Sequence, residues 1–322
     1  MLRLSSTLRI INEELNRYNK HSSKFSKKRF AFFINRAWLL SHGIAQSLKN
    51  NDENELSRLL WTPDGKTYKK IEVVTIGVSK KVVQGVFCSF VFRLRSIKKT
   101  AALPSGQPLT WSCVFPLKPD TEIPVEGFLL LPQRQKFQPG IFLEGKSINL
   151  HNIIVTMEKT GIARISFDEK SKVTMGSVFK KWDSFKIWNW KDAYKRYQEY
   201  NPGPLDLEIE MQEEIILDQW KIVDESENDD YIIFKIKNNI DNENGLMFET
   251  LVSKGIEGET LLNELNKLKQ NPTNPPLYGT IHYERCRMIL QPLSLFMPDG
   301  MKHLMVSNKK VDSSALLRTL NF

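Results

Sequence analysis

An α+β fold is predicted for this chain of 322 residues. The prediction has a β-rich first domain, a sandwich or partly open barrel, preceded by a basic helical segment and followed by a smaller α+β domain. Three observations carry it. Up to Trp61 the apolar residues recur at helical spacing, from Ile71 they alternate with polar ones, and Pro202-Gly203-Pro204 separates the alternating stretches into two groups. The expected boundaries are 1–65 for the helical segment, 66–178 for the β-rich domain, 179–203 for an aromatic and basic helical bridge, and 204–322 for the α+β domain.

In chain order, Leu8, Ile11 and Leu15 predict a helix over 6–18, and Phe33, Ala37, Leu40, Ile44 and Leu48 a second one. Asp52 with Glu55 resembles a capping box and opens a short third helix, which Thr62-Pro63-Asp64-Gly65 closes as a turn. Strands follow. Val86, Cys88, Phe90, Phe92 and Leu94 share one face and Phe87, Ser89, Val91, Arg93 and Arg95 the other. Further strands are expected over 71–78, 109–115, 123–131, 140–144, 149–157, 161–167 and 172–175. In the second domain, Leu205, Leu207, Ile209 and Met211 alternate with Asp206, Glu208, Glu210 and Gln212, an acidic strand with a solvated edge. Strands at 219–223, 231–237, 246–253, 277–283 and 287–293, with helices at 257–268 and 313–320, complete it.

The charge is uneven. Residues 1–100 hold 20 Lys/Arg against 7 Asp/Glu, a net +13, whereas residues 101–322 hold 26 against 30, a net −4. Within the latter, residues 201–250 carry 3 basic and 14 acidic side chains, a net −11. A basic front neutralises phosphates, which points first to nucleic acid and second to an anionic membrane surface. Solvation, or docking of the basic front on the acidic belt, is the alternative use of the same charges.

Cys88, Cys113 and Cys286 lack the paired spacings of zinc or redox motifs, so neither a metal nor an essential thiol is expected. Cys88 and Cys113 fall on apolar strand faces and read as core thiols. No secretory pattern precedes the folded part, and Glu13 and Glu14 break the acid-poor character of a transit peptide, so a cytoplasmic protein is expected. The longest uncharged run contains Pro104, Gly106 and Pro108 and does not read as a membrane span.

The bridge interleaves Lys180, Lys181, Trp182, Lys186, Trp188, Trp190, Lys191, Tyr194 and Tyr197. Rings that stack on bases beside cations that track phosphates suit single-stranded nucleic acid. The spacing of Trp190, Tyr194 and Tyr197 also suits the buried stripe of a helix, which leaves Trp182 and Trp188 as the exposed rings. The candidate nucleic-acid contacts are therefore Lys24, Lys27, Lys28, Arg29, Lys181, Trp182, Lys186 and Trp188.

Catalytic patterns are sparse. Pro119-Asp120 and Glu144-Gly145-Lys146 resemble the PD-(D/E)xK nucleases, in which Asp120 and Glu144 would hold a divalent metal and Lys146 would orient water. Gly145 departs from the apolar residue expected there. His282-Tyr283-Glu284 looks like the opening of a zinc deaminase, but Cys286 stands alone and the Pro-Cys-x-x-Cys partner is missing. Gly255 to Thr260 lacks the lysine of a phosphate loop and reads as a helix start. No cofactor is expected. The functional expectation is a non-catalytic nucleic-acid-associated accessory protein, with a protein-interaction or assembly factor as the alternative and a metal-dependent nuclease third.

Asn35-Arg36-Ala37-Trp38-Leu39-Leu40, the stretch from Val125 to Phe137, and His282-Tyr283-Glu284-Arg285-Cys286 resemble an uncharacterised cyanobacterial protein family. The resemblance implies a cyanobacterial, cytoplasmic setting and no assigned activity.

Overall fold

A computed structural model describes residues 2–22, 25–60, 65–100, 103–117, 124–157, 162–185, 195, 212–238, 245–284 and 287–307. The chain divides into a helical unit ending at Asp64 and a β-rich unit beginning at Gly65. The helical unit holds α1 (Leu2–Asn19), α2 (Lys27–Lys49) and α3 (Glu53–Leu60). The Ser26 side chain accepts from the Arg29 amide at 3.3 Å and caps α2, and Asp52 does the same for Glu55 at 3.0 Å in α3. Leu40 and Leu59 form the small core, with Leu4, Leu39 and Ile44 packed on it. Glu14, buried in α1, accepts from the Ser26 amide at 3.3 Å and pairs with Arg17 and Arg29, so one carboxylate ties α1 to the positive end of α2.

In the second unit, β1 (Gly65–Val83) is long enough to have two partners. Its first half pairs with β4 (Lys146–Met157) and its second half with β2 (Phe87–Ser96), the change falling at Val73. β2 pairs with β3 (Pro108–Pro116), and β4 with β5 (Ala163–Val178). A short parallel pairing of Leu109 with Ala163 and Thr110 with Arg164 joins β3 to β5 and closes the barrel in the order β1-β2-β3-β5-β4. Five strands in this order are the topology of an OB-type barrel.

Two expected strands are corrected. Residues 123–131 and 140–144 contain 3-10 helices, Val125–Leu130 and Pro139–Leu143, between β3 and β4. Buried Val125, Phe128 and Leu129 stand three and four apart, and Pro139 pre-sets the start of the second helix. Their rings plug the barrel: Phe142 stacks on Trp111 at 4.9 Å between centroids, and Phe128 lies 5.5 Å from Phe115. The strands expected over 161–167 and 172–175 are one element, β5.

The second sheet holds β6 (Glu213–Leu217), β7 (Trp220–Glu227), β8 (Tyr231–Asn238), β9 (Met247–Ser253), β10 (Leu277–Glu284) and β11 (Arg287–Met297). Their order is β6-β10-β11-β9-β8-β7, and β12 (Gly300–His303) pairs with β11. Between β9 and β10, α4 (Glu259–Lys269) buries Leu261, Leu265 and Leu268 in this core. The barrel supplies part of the same core. Ile71, Val73 and Val78 of β1 point into the barrel, while Val74 and Ile76 belong to the second cluster.

Candidate nucleic-acid interface

Residues 65–178 carry 17 Lys/Arg against 8 Asp/Glu, a net +9, so the barrel itself is a basic body. Several of these cations are committed elsewhere. Lys80 is buried against Glu126 at 2.8 Å, Lys98 pairs with Glu72 at 2.7 Å, and Lys146 with Glu144 at 2.9 Å. Arg93 and Arg95, on the outer face of β2, are buried against Glu214, and Arg93 also donates to Gln212 at 3.2 Å.

Of the rest, exposed Lys81, Lys99, Arg134 and Lys136 are scattered, and five lysines lie on one wall. Lys66, Lys69 and Lys70 of β1 and Lys170 and Lys172 of β5 are exposed and make no salt bridge among the described residues. His151 of β4 is the register partner of Lys70 on one side and of Lys172 on the other. Lys70, His151 and Lys172 thus form a row across three adjacent strands, spanning about 10 Å from the first backbone to the third. A hydrogen-bonded kink presents the β5 lysines. The pairing passes from His151 with Lys172 to Ile153 with Phe167, so Asp168 to Ser171 bulge out opposite Asn152. Ser171, buried at its base, donates to the Asn152 carbonyl at 2.6 Å and accepts from the Asp168 amide at 2.9 Å. The Asp168 carboxylate accepts from the Lys170 amide at 2.8 Å, and Asn152 takes the positive φ of 50° that the bulge needs.

The β2–β3 face, where OB barrels commonly seat their ligands, has a different character. Ser89, Val91, Ser112 and Val114 present hydroxyl and aliphatic groups, with Arg93 buried against Glu214 and Lys81 of β1, opposite Ser89, the cation beside them.

The residues singled out from the sequence fare unequally. Lys24, Asp120, Lys186, Trp188 and Cys286 lie outside the described residues, as do Trp190, Tyr194, Tyr197 and the acidic strand from Leu205 to Met211. Lys27 and Lys28 are exposed at the start of α2, while Arg29 is engaged by Glu14. Lys181 is exposed. Trp182 corrects the expectation: at 6% exposure it belongs to the second core, its ring edge-on to Phe179 at 4.9 Å. It opens a 3-10 helix, Trp182–Phe185, whose Phe179 and Phe185 neighbours stack at 5.5 Å and draw the ring inward. Beside it is an open cleft of about 500 Å³, lined also by Lys180, Asn274, Pro275 and Phe296.

Glu144 and Lys146 are brought together, but each is the other's ion-pair partner, and Lys146 also touches the Met175 sulfur at 3.1 Å. Among the described residues no group of three His, Cys, Asp or Glu is placed to share a metal. His282 lines a small cavity with Gln212 and Gln291. Cys88 and Cys113 are buried as expected, and burial pushes their thiols up to about 11 and about 12, which keeps them protonated and unreactive.

The lysine row escaped sequence reading because its halves are a hundred residues apart and only the strand register unites them. Its one visible signal is the excess of positive charge over 65–178. No protein-family model matches the chain, and no curated protein matches it either.

Proposed function

We propose that the protein binds nucleic acid without transforming it, through the β1–β4–β5 wall of its barrel. The observation that carries this reading is the in-register row of Lys70, His151 and Lys172, flanked by Lys66, Lys69 and Lys170, on a barrel of OB-type topology. Unpaired, exposed ammonium groups at strand spacing suit successive backbone phosphates and release their counterions on binding. The one ring in the described row is the half-buried His151 imidazole, so the wall contributes chiefly backbone contacts. Base stacking, and with it a preference for single strands, would come from the bridge around Trp188. Lys27 and Lys28 stand in the separate helical unit and are not required.

The test is the salt dependence of binding to mixed-sequence oligonucleotides. Lys70→Glu with Lys172→Glu should weaken binding and flatten the salt slope by roughly 0.7–0.9 for each phosphate no longer neutralised. Lys27→Glu with Lys28→Glu should leave both unchanged. If the barrel pair has no effect, the wall is not the interface.

A further inference from the structure

α2 has no Asp or Glu in its 23 residues, and its five charged residues, Lys27, Lys28, Arg29, Arg36 and Lys49, are all basic. One side of it, bearing Leu40 and Ser47, is buried. The opposite side is open to solvent and carries three large apolar residues, Ile34 at 43% exposed, Trp38 at 62% and Leu48 at 58%, with exposed Ser41 and His42 among them, the His42 ring stacked on Trp38 at 5.1 Å. At 100° per residue, Lys27, Ile34, Trp38, Ala45 and Lys49 fall within an arc of about 60°, so a lysine stands at each end of this stripe. α1 repeats the anomaly. Its polar Thr7 and Glu14 are buried, while Leu8 and Tyr18 are 51% and 58% exposed.

We propose that α2 seats on an anionic lipid surface, lying in the plane of the bilayer interface. Ile34, Trp38 and Leu48 would enter the headgroup region, and Lys27 and Lys49 would extend their stems along it to reach lipid phosphates. A helix of about 34 Å with a tryptophan at its centre, an apolar stripe and only cationic charge has the chemistry of an interfacial helix. The charge decides between occupants. A second copy of the same face would oppose like charges with no carboxylate between them, and a nucleic acid would satisfy the lysines while leaving Ile34 and Leu48 in water. A lipid surface takes both.

The test is co-sedimentation of the full-length chain with vesicles of phosphatidylcholine, with and without phosphatidylserine. Binding should require phosphatidylserine and weaken with salt. Lys27→Glu with Lys49→Glu should lower the partition coefficient about tenfold or more, at about 1 kcal/mol for each cation near the surface. Trp38→Ala should lower it as well without changing the melting temperature, since that ring is exposed. Oligonucleotide binding should be unaffected by either variant, so this proposal and the barrel-wall reading fail separately. Equal binding to neutral vesicles, no binding, or unchanged binding by the lysine variant would overturn it. So would a drop in oligomer mass or in melting temperature on Trp38→Ala, since the stripe would then be covered by protein.

Discussion

Gly77 of β1 lies so close to the Tyr278 ring of β10 that a Cβ built on it would stand 2.5 Å from Cε1 and 3.3 Å from the Leu293 Cβ. It sits at the irregularity between Thr75 and Gly77 in the pairing of β1 with β2, just past Val73, where the pairing with β4 ends. The same few residues bend the barrel wall and admit the second sheet. Tyr278 is 1% exposed and has nowhere to move.

Gly77→Ala should therefore overpack this junction and lower stability by about 1–3 kcal/mol. Urea denaturation gives the measurement. Tyr278→Leu in the Gly77→Ala background should recover part of the loss, because the nearest ring atoms are the obstacle. If the two changes simply add, the close approach of Gly77 to Tyr278 is not what limits the site.

Glu214 joins the two layers as an ion. Burial alone would raise its carboxyl, but the adjacent Arg95 guanidinium, aided by Arg93, outweighs burial and holds it below the ordinary value. Its contribution is complete above an ordinary carboxyl value near 4.5 and is lost as pH falls below that, through the folded-state value. Glu214→Gln leaves two buried guanidinium groups without their anion and should cost about 3–5 kcal/mol at neutral pH. Replacing Arg93, Arg95 and Glu214 together with apolar residues should cost less than the single change. Chemical denaturation at neutral and acid pH compares the three proteins.

These two junctions mark where sequence reading stops. The alternation that defined β2 placed Arg93 and Arg95 on the face opposite Phe92 and Leu94, where the structure has them. Nothing local indicates that β6 covers them, because Glu213 to Leu217 has four consecutive buried residues, Glu214, Ile215, Ile216 and Leu217, and no clean period. Val125 to Leu130 misled in the other direction: a run of apolar residues between prolines suits a strand as well as a 3-10 plug, and only burial at three- and four-residue spacing separates them. Four expected helices, whose caps and stripes are local, were legible, while the one expected over 313–320 lies outside the described residues. The lysine row is long-range, and no window along the chain contains it.

His303 gives a pH dependence in a different window. It is buried in β12 with Nδ1 2.8 Å from the Ser294 hydroxyl, and burial pushes its imidazole down from 6.5 to about 4. The neutral ring is thus the folded form. As pH falls from 6.5 towards 4, the unfolded chain takes up a proton that the folded protein excludes, so stability declines by up to about 3 kcal/mol. His303→Gln should remove this decline and leave the Glu214 effect at lower pH in place. Melting temperatures across pH 4 to 8 in both proteins provide the comparison. Parallel curves would mean that His303 takes up its proton without unfolding.

Ser171 connects local geometry to the proposed interface. Its hydroxyl serves the Asn152 carbonyl and the Asp168 amide at once, and it is 3% exposed, so water cannot replace either bond without opening the bulge. Removing the hydroxyl frees the segment that carries Lys170 and leaves Lys172, one residue later, without a fixed anchor beside His151. Ser171→Ala should cost about 1–3 kcal/mol of stability. It should also weaken oligonucleotide binding while the salt slope stays close to that of the parent, because the number of cations is unchanged and only their placement is relaxed. Ser171→Thr keeps the hydroxyl and tests whether placement is the cause: binding should return even if stability does not. Should Ser171→Ala lose stability yet bind oligonucleotides as the parent does, the bulge is structural only and the row does not depend on it.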